Sequence, residues 1–371
     1  MGRKELDELG FVGRGKSKHR PRDAEHLYGG PYPFIQTGDV KHADLYVTLY
    51  SQTYSEAGLA QSKLWPAGTL CITIAANIAD TAILGIDACF PDSVLGFIAD
   101  ESESDARYVK YLFDTIRRQY QQVSQGAAQD NLSLEKLLAF KLKVPPPEAQ
   151  RDIADVLSAY DDLIENNRRR MALLEESARL LYQEWFIRLR FPGHEHNRTV
   201  DGLPEGWERA PLGERITLNY GKALKADERV DGPFPVFGSS GIVGTHDKAL
   251  VQGAGIILGR KGNVGSVFWS NKDFYPIDTV YFIEAANSNL YLFYALKHMH
   301  FISTDVAVPG LNRDLAYSRP LTTPSKTVLS AFLEVTSPIH EQLDKLDEMN
   351  QELKAARDLL LPRLMSGEMV V

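Results

Sequence analysis

The sequence is written twice. Leu6-Asp7-Glu8-Leu9 followed by Gly15-Lys16 returns as Leu212-Gly213-Glu214-Arg215 followed by Gly221-Lys222, at a constant offset of 206. Gly30-Pro31-Tyr32-Pro33-Phe34 returns as Gly232-Pro233-Phe234-Pro235-Val236, and Ala67-Gly68-Thr69-Leu70-Cys71-Ile72 resembles Ala254-Gly255-Ile256-Ile257-Leu258. Phe90-Pro91-Asp92 is matched by Tyr275-Pro276-Ile277-Asp278, and Val156-Leu157-Ser158-Ala159-Tyr160 by Val328-Leu329-Ser330-Ala331-Phe332. The offset drifts along the chain, so loops differ in length between the copies. A repeat this long makes the half-chain the folding unit and excludes a single core for all 371 residues.

Each copy ends in a stretch of different periodicity. After Pro145-Pro146-Pro147, tolerated at a helix start but not inside one, Glu148 and Asp152 fall where a helix dipole favours acids. Ile153, Leu157, Tyr160, Ile164, Asn167, Met171, Leu174, Ala178, Leu181 and Trp185 then follow steps of four and three, the seam of a coiled coil. Only Asn167 breaks the apolar pattern; a buried Asn in such a seam fixes register at some cost in stability, and an exposed Asn is the alternative reading. A helix over 150–190 would be roughly 60 Å long at about 1.5 Å per residue. The second rod shows the same alternation at Phe332, Val335, Ile339, Gln342, Leu346, Met349, Leu353, Ala356 and Leu360, with Ser337-Pro338 read as an N-cap and first helical position, or as a kink. Each rod lacks a partner of its own length, so pairing within one chain is preferred over a homodimer.

Between these rods, β-prone runs are punctuated by Gly, Pro and Asn: Leu45 to Leu49, Thr69 to Ile74, Gly255 to Leu258, Val267 to Trp269 and Thr279 to Ile283. Helices are expected over Tyr108 to Gln122 and Ser288 to His300. The organisation read from these patterns is 1–143, a globular unit; 144–190, a long helix; 191–211, a linker; 212–325, a second globular unit; and 326–371, a second long helix. The class is α+β. No stretch of about 18 apolar residues is present to span a membrane, and Met1 to Glu8 lacks the pattern of a secretory signal, so a cytoplasmic location is expected. Cys71 and Cys89 lie in apolar surroundings as expected of buried thiols, and His194 and His196 in the linker lack a third metal ligand.

The net charge of −8 argues against a polyanionic partner until it is apportioned. Residues 1–143 hold 16 Lys and Arg against 18 Asp and Glu, and 207–325 hold 12 against 11, so the globular units together carry −1. Residues 144–206 hold 8 against 12 and 326–371 hold 5 against 8, which places the remaining −7 around the rods.

Catalytic patterns do not assemble. Gly10-Phe11-Val12-Gly13-Arg14-Gly15-Lys16-Ser17 fits the phosphate-cradling G-x-x-x-x-G-K-S pattern, and a P-loop NTPase is therefore an alternative reading. Its context disagrees, because the lead-in Lys4 to Leu9 is charged and the exit Lys18-His19-Arg20-Pro21-Arg22 carries a helix breaker. Val144-Pro145-Pro146-Pro147-Glu148 has the prolines of an amine methyltransferase motif but neither end of it. No metal-dependent nuclease set and no Ser/His/Asp or Cys/His set stands out. The chain is therefore read as non-catalytic, with a coiled-coil adaptor as the other alternative.

What recurs in both halves is basic and amide-rich punctuation. Arg14, Lys16, Lys18, His19, Arg20 and Arg22 form a cationic stretch, with Gln36 and Thr37 close behind; Lys222, Lys225, Arg260, Lys261, Asn263 and Arg313 lie among glycines in the second half. Arg and Lys neutralise phosphates or pair with guanine, and Asn or Gln pairs with adenine. These residues are the DNA-binding candidates.

This layout resembles the specificity subunit of type I restriction-modification systems over essentially the whole chain. The signatures are Gln125-Gly126 through Asn131-Leu132-Ser133, Pro147-Glu148-Ala149-Gln150, Asp162 to Asn167, Glu184-Trp185-Phe186, Leu203-Pro204-Glu205-Gly206-Trp207, Pro309-Gly310-Leu311-Asn312-Arg313, Leu346 to Asn350 and Leu364 to Glu368. They add Asn131 and Asn312 to the DNA-binding candidates. Two departures are an N-terminus without the Trp-bearing opening, and Pro324-Ser325-Lys326 in place of a Pro-x-x-x-Gln approach to the second rod. The resemblance implies two target-recognition domains, each followed by a long helix, with the helices pairing antiparallel as a spacer. It implies that each domain reads half of a bipartite asymmetric site in double-stranded DNA, and that two modification subunits dock on the chain and bring restriction-translocase subunits with them. It also implies no cofactor on this chain, with S-adenosylmethionine, ATP and Mg on the partners.

Overall fold

The computed structural model describes residues 2–74, 80–123, 141–301 and 310–371. The fold is α+β and divides into two compact units, Met1–Asn167 with Met349–Val371, and Arg168–Glu348. The long helix Pro147–Tyr182 starts in the first unit and ends in the second, and Lys326–Ser366 does the reverse.

The first unit holds a five-stranded sheet in the order Gly10–Arg14, Val94–Ala99, Leu70–Thr73, Thr81–Leu84 and Tyr46–Val47. The second unit holds a four-stranded sheet, Asn219–Tyr220, Val280–Ile283, Gly255–Gly259 and Val267–Ser270, which repeats the first four of those strands in the same order. A further sheet in each unit pairs Tyr28–Phe34 or Phe234–Gly238 antiparallel to its next neighbour and parallel to Ala88–Cys89 or Tyr275–Pro276. A two-stranded ribbon closes each copy, Gly2–Lys4 on Leu142–Val144 and Glu208–Pro211 on Pro320–Thr323. Even the opening Leu-x-Glu motif repeats as a one-turn 3-10 helix, with Leu6 and Leu212 fully buried. The expected helices are Ala106–Val123 and Leu290–His298; the latter's side chains are buried through Leu296 in the second unit's main core.

Three sequence expectations are corrected. Residues 191–211 are not a free linker. Phe191 and Trp207 bury 5.2 Å apart against Phe186, and Glu208–Pro211 is a strand of the second unit. The polar composition between them imitates a linker, while the aromatic ends supply the anchoring. Of the two readings of Ser337-Pro338, the helix start is excluded, because Lys326–Ser366 runs through it for 41 residues. Proline removes one hydrogen bond there, a loss set against the packing of a long amphipathic face.

The third correction concerns the C-terminal seam. Val335 is 47% exposed and Met349 51%, and Gln342 also faces solvent. Phe332 and Leu346 are inward as expected, whereas Val335, Gln342 and Met349 are each replaced by the residue after it, Thr336, Leu343 and Asn350, and Leu361 and Leu364 complete the inward face. In the first unit Asn350 meets Asn167, and Arg357 meets Asp161; in the second, Phe332 packs on Tyr182 and Trp185. From Asn167 to Asp161 on one helix the partner rises from Asn350 to Arg357 on the other, so in the first unit the two helices run antiparallel. The first seam follows the expected positions, with Ile153, Leu157, Ile164, Asn167, Ala178 and Trp185 buried.

Candidate nucleic-acid interface

The repeated Gly-Lys pair is an architectural turn. At the end of the edge strand Gly10–Arg14, the Gly15 amide donates to the Val94 carbonyl at 2.9 Å and the Lys16 amide to that of Phe90 at 3.1 Å. Gly221 and Lys222 repeat this on Val280 and Pro276 at 3.1 and 3.0 Å. A Cβ on Gly15 would collide with the Pro91 carbonyl, and one on Gly221 with that of Ile277. Glycine is needed because two backbones touch, and each turn leaves its lysine exposed.

This geometry overturns the P-loop alternative. Gly10 to Arg14 is a sheet strand paired with Val94–Ala99, so the motif's early glycines contact neighbouring backbone and rings. No helix follows Ser17, whose hydroxyl is buried 3.5 Å from that of Tyr54 instead of facing a phosphate. A P-loop requires a helix N-terminus at that point.

The cationic loop after Lys16 is pinned on both sides. Ser62 Oγ donates to the Lys16 carbonyl at 2.8 Å, and the His19 amide to Gln61 Oε1 at 2.9 Å. Arg14 Nε donates to the Asp92 carbonyl at 2.5 Å, and Arg22 Nη2 reaches both Asp92 carboxylate oxygens at 3.0 Å. Arg20 donates to the carbonyls of Ser17 and His19 at 2.8 Å, while Lys18 projects into solvent. Lys63, which the sequence did not single out, joins them. Its Nζ lies 3.6 Å from the Trp65 ring centre and 4.9 Å from that of Phe11, which is 56% exposed. Burial first, and then the Lys16 charge, lower its pKa. Gln36 and Thr37 instead open the short helix Thr37–His42, where Gln36 Nε2 donates to Gln52 Oε1 at 2.6 Å.

In the second unit the strand position just before the Gly-Lys turn, held by Arg14 in the first unit, is occupied by Tyr220, 51% exposed. The guanidinium carbons of Arg260 and Arg313 lie 5.3 and 5.1 Å from its ring centre. Arg260 also donates from Nε and Nη2 to the Asp278 carbonyl at 3.3 and 2.7 Å, as Arg14 does to Asp92 in the other unit. Lys261 is next to it, its amide on Thr279 and its backbone bridged to Gly310, so the Arg260 and Arg313 segments are tied together. Burial first, and then the hydrogen bond to Tyr220, push the Tyr281 hydroxyl up to about 12.

Other expected contacts have local partners. Asn312 Oδ1 caps the helix Arg313–Tyr317 by accepting from Asp314 and Leu315 amides at 2.8 and 3.1 Å. Lys225 stands 4.0 Å from Glu228, and the Asn263 carbonyl accepts from Ser266 at 2.8 Å. Asn131 lies outside the described residues. The aromatic members Phe11 and Tyr220 carried one sequence signal: each sits on the strand just before the repeated Gly-Lys.

Comparison with known proteins decides the family. The model of the type I restriction modification DNA specificity domain matches residues 2–176 and 204–314. The chain belongs to the type I restriction-modification DNA specificity family. It is 25% identical to the type I restriction enzyme MjaIX specificity subunit of Methanocaldococcus jannaschii, over 99% of this chain and 93% of that one. It is 30% identical to the putative type I specificity subunit S.MpnORF638P of Mycoplasma pneumoniae, over 41% of this chain and 40% of that one. The crystal structure of the type I restriction-modification S subunit from M. genitalium has the same fold, with a TM-score of 0.60 at 18% identity over 98% of this chain and 95% of that one. Two matched segments in one specificity chain agree with two copies of one sheet topology.

Proposed function

We propose that each unit reads one half of a bipartite, asymmetric site in double-stranded DNA, and that the chain lacks a catalytic centre of its own. One observation carries the reading: the same Gly-Lys turn, flanked by cations and an exposed aromatic, recurs at one edge of the main sheet in both units. Lys16, Lys18 and Arg14 serve the first half-site, and Lys222, Arg260, Lys261 and Arg313 the second. Such cations supply phosphate affinity, and guanidinium forks supply base reading. The long helices set the unread spacer and dock two modification subunits, their acidic surfaces suiting protein contacts better than phosphates. S-adenosylmethionine-dependent adenine methylation, and ATP- and Mg-dependent translocation and cleavage through the restriction subunits, belong to those partners.

The test is co-expression with a cognate modification subunit, followed by mapping of methylated adenines. A single bipartite motif with a spacer of fixed length is expected. Methylation that ignores the presence of this chain would refute the reading, as would ATP hydrolysis by the purified chain that disappears in Lys16→Ala.

A further inference from the structure

We infer that Arg313 reads a guanine in the half-site of the second unit, and that Tyr220 is the residue that positions it. The inference rests on the DNA-reading function proposed above and names the base that this cluster recognises.

Arg313 opens the short helix Arg313–Tyr317, and its guanidinium carbon lies 5.1 Å from the Tyr220 ring centre and 5.9 Å from that of Tyr317. The side chain is half-buried, yet among the described residues its guanidinium makes no hydrogen bond and no ion pair. Among the described residues none supplies an acceptor to its five N–H donors, although arginine taken partly out of water ordinarily finds one in the protein. The other arginines of the candidate set differ. Arg22 is paired with Asp92, Arg20 is folded onto two carbonyls, Arg14 bonds the Asp92 carbonyl, and Arg260 uses Nε and Nη2 on the Asp278 carbonyl. The cluster remains open to solvent, since Tyr220 is half exposed and ends the strand at the sheet edge.

The geometry also separates a base from a phosphate. A phosphate accepts hydrogen bonds from many directions, so a point charge on a flexible stem serves it well. The major-groove edge of guanine offers two coplanar acceptors, O6 and N7, which match two parallel N–H groups of a guanidinium held in one plane. Contact with the tyrosine rings restricts that plane before DNA arrives and lowers the ordering penalty on binding. Arg260, on the same ring at 5.3 Å, adds positive charge that favours an electronegative base edge. Adenine and cytosine present donors from their amino groups in this groove, which a second N–H donor repels.

The experiment uses the complex with the modification subunit, mapping methylated motifs and measuring DNA binding against salt. Arg313→Ala is expected to relax one G·C pair of one half-site, with discrimination there falling about ten- to a hundredfold while all other positions keep theirs. Arg313→Lys keeps the charge without the fork and should relax the same pair, which guards against misfolding of the alanine variant. Tyr220→Leu should relax that pair as well, and Tyr220→Phe, which retains the ring, should leave it specified. The inference is overturned if Arg313→Ala weakens binding to all sequences alike with an intact motif and a salt slope lower by about one unit, the signature of a phosphate contact. Retention of the motif in Arg313→Lys, or relaxation of an A·T pair, overturns it too, and equal effects of Tyr220→Phe and Tyr220→Leu remove the positioning role. In each of these cases the wild-type complex still writes a bipartite motif. A wild-type complex that writes none defeats the proposed function itself and this inference with it.

Discussion

Asn167 Nδ2 donates to Asn350 Oδ1 at 3.0 Å, with both residues buried to within a few percent. Each long helix thus places an amide in the seam at the same level. Sliding one helix by a turn would set each amide against apolar side chains, with a penalty of about 1–3 kcal/mol for each one buried without a partner. The pair therefore selects one antiparallel register, as single seam asparagines do in other coiled coils.

Less than two turns away in the same unit, Arg357 pairs with the almost fully buried Asp161, whose other carboxylate oxygen accepts from Tyr111 Oη at 2.5 Å. Removing the cation leaves a buried carboxylate with one hydroxyl donor. Arg357→Met is expected to lower stability by about 3–5 kcal/mol in urea unfolding. Adding Asp161→Asn should recover more than half of that, because the neutral amide still accepts from Tyr111. Equal stability of the single and double variants would show that the ion pair is not what holds this site.

The duplicated glycines give a second stability test. Gly221→Ala forces a Cβ onto the Ile277 carbonyl and Gly15→Ala onto that of Pro91, so each should lose about 1–3 kcal/mol. At Gly38 a Cβ meets open space, and Gly38→Ala should leave stability unchanged or slightly raised. Thermal unfolding of the three variants checks the ordering.

These two sites show what the sequence could and could not reveal. The repeat was legible because glycines at backbone contacts and buried leucines such as Leu6 and Leu212 admit few substitutes. The first seam was legible because nine of its ten positions are apolar. The C-terminal seam keeps Phe332 and Leu346 but shifts by one residue at Val335, Gln342 and Met349, because the polar Thr336, Asn350 and Arg357 occupy inward positions. Their compensation lies on other segments, at Asn167 and Asp161 for the last two, and an apolar count cannot see it. The cationic residues were found as a composition, whereas their division of labour depends on partners far away in sequence. Asp92 occupies Arg22, Asp278 engages Arg260, and Tyr220 gathers Arg313. Lys63 carried no sequence signal, since only folding brings it over Trp65 and Phe11.

That division changes what a charge-removal experiment should give in the first unit. Replacing Lys18, Arg20 and Arg22 together would lower the salt slope of DNA binding by nearly three units if all three met phosphates. Arg22 is already neutralised by Asp92, and Arg20 is turned onto the chain's own carbonyls. The expected drop is therefore about one unit, chiefly from Lys18, and Lys18→Ala alone should reproduce most of it. A drop near three, measured by titration at several salt concentrations, would mean that both arginines leave their partners on binding.

Stability in the second unit should depend on pH through His340. Its ring hydrogen-bonds the Tyr294 hydroxyl at 2.8 Å, packs on Trp269 and Phe293, and is lowered to a pKa of about 4, by burial first and then by Lys297. Above pH 7 the ring is neutral folded and unfolded, so it adds no pH dependence. As pH falls below about 6.5 the unfolded chain takes up a proton that the folded chain refuses, and stability declines until about pH 4. The span corresponds to about 3 kcal/mol at full effect. Asp344, lining the same cavity of about 310 Å³, works in the opposite sense. Burial chiefly raises its pKa, so the folded state holds the proton more tightly and gains as pH falls through that carboxyl range. The two effects are separated by comparing wild type with His340→Gln in urea unfolding from pH 7.5 to 4.5. The variant should lose the decline between pH 6.5 and 4.5 and keep whatever slope Asp344 supplies, whereas an unchanged profile would show that the folded protein protonates His340 as readily as the unfolded chain.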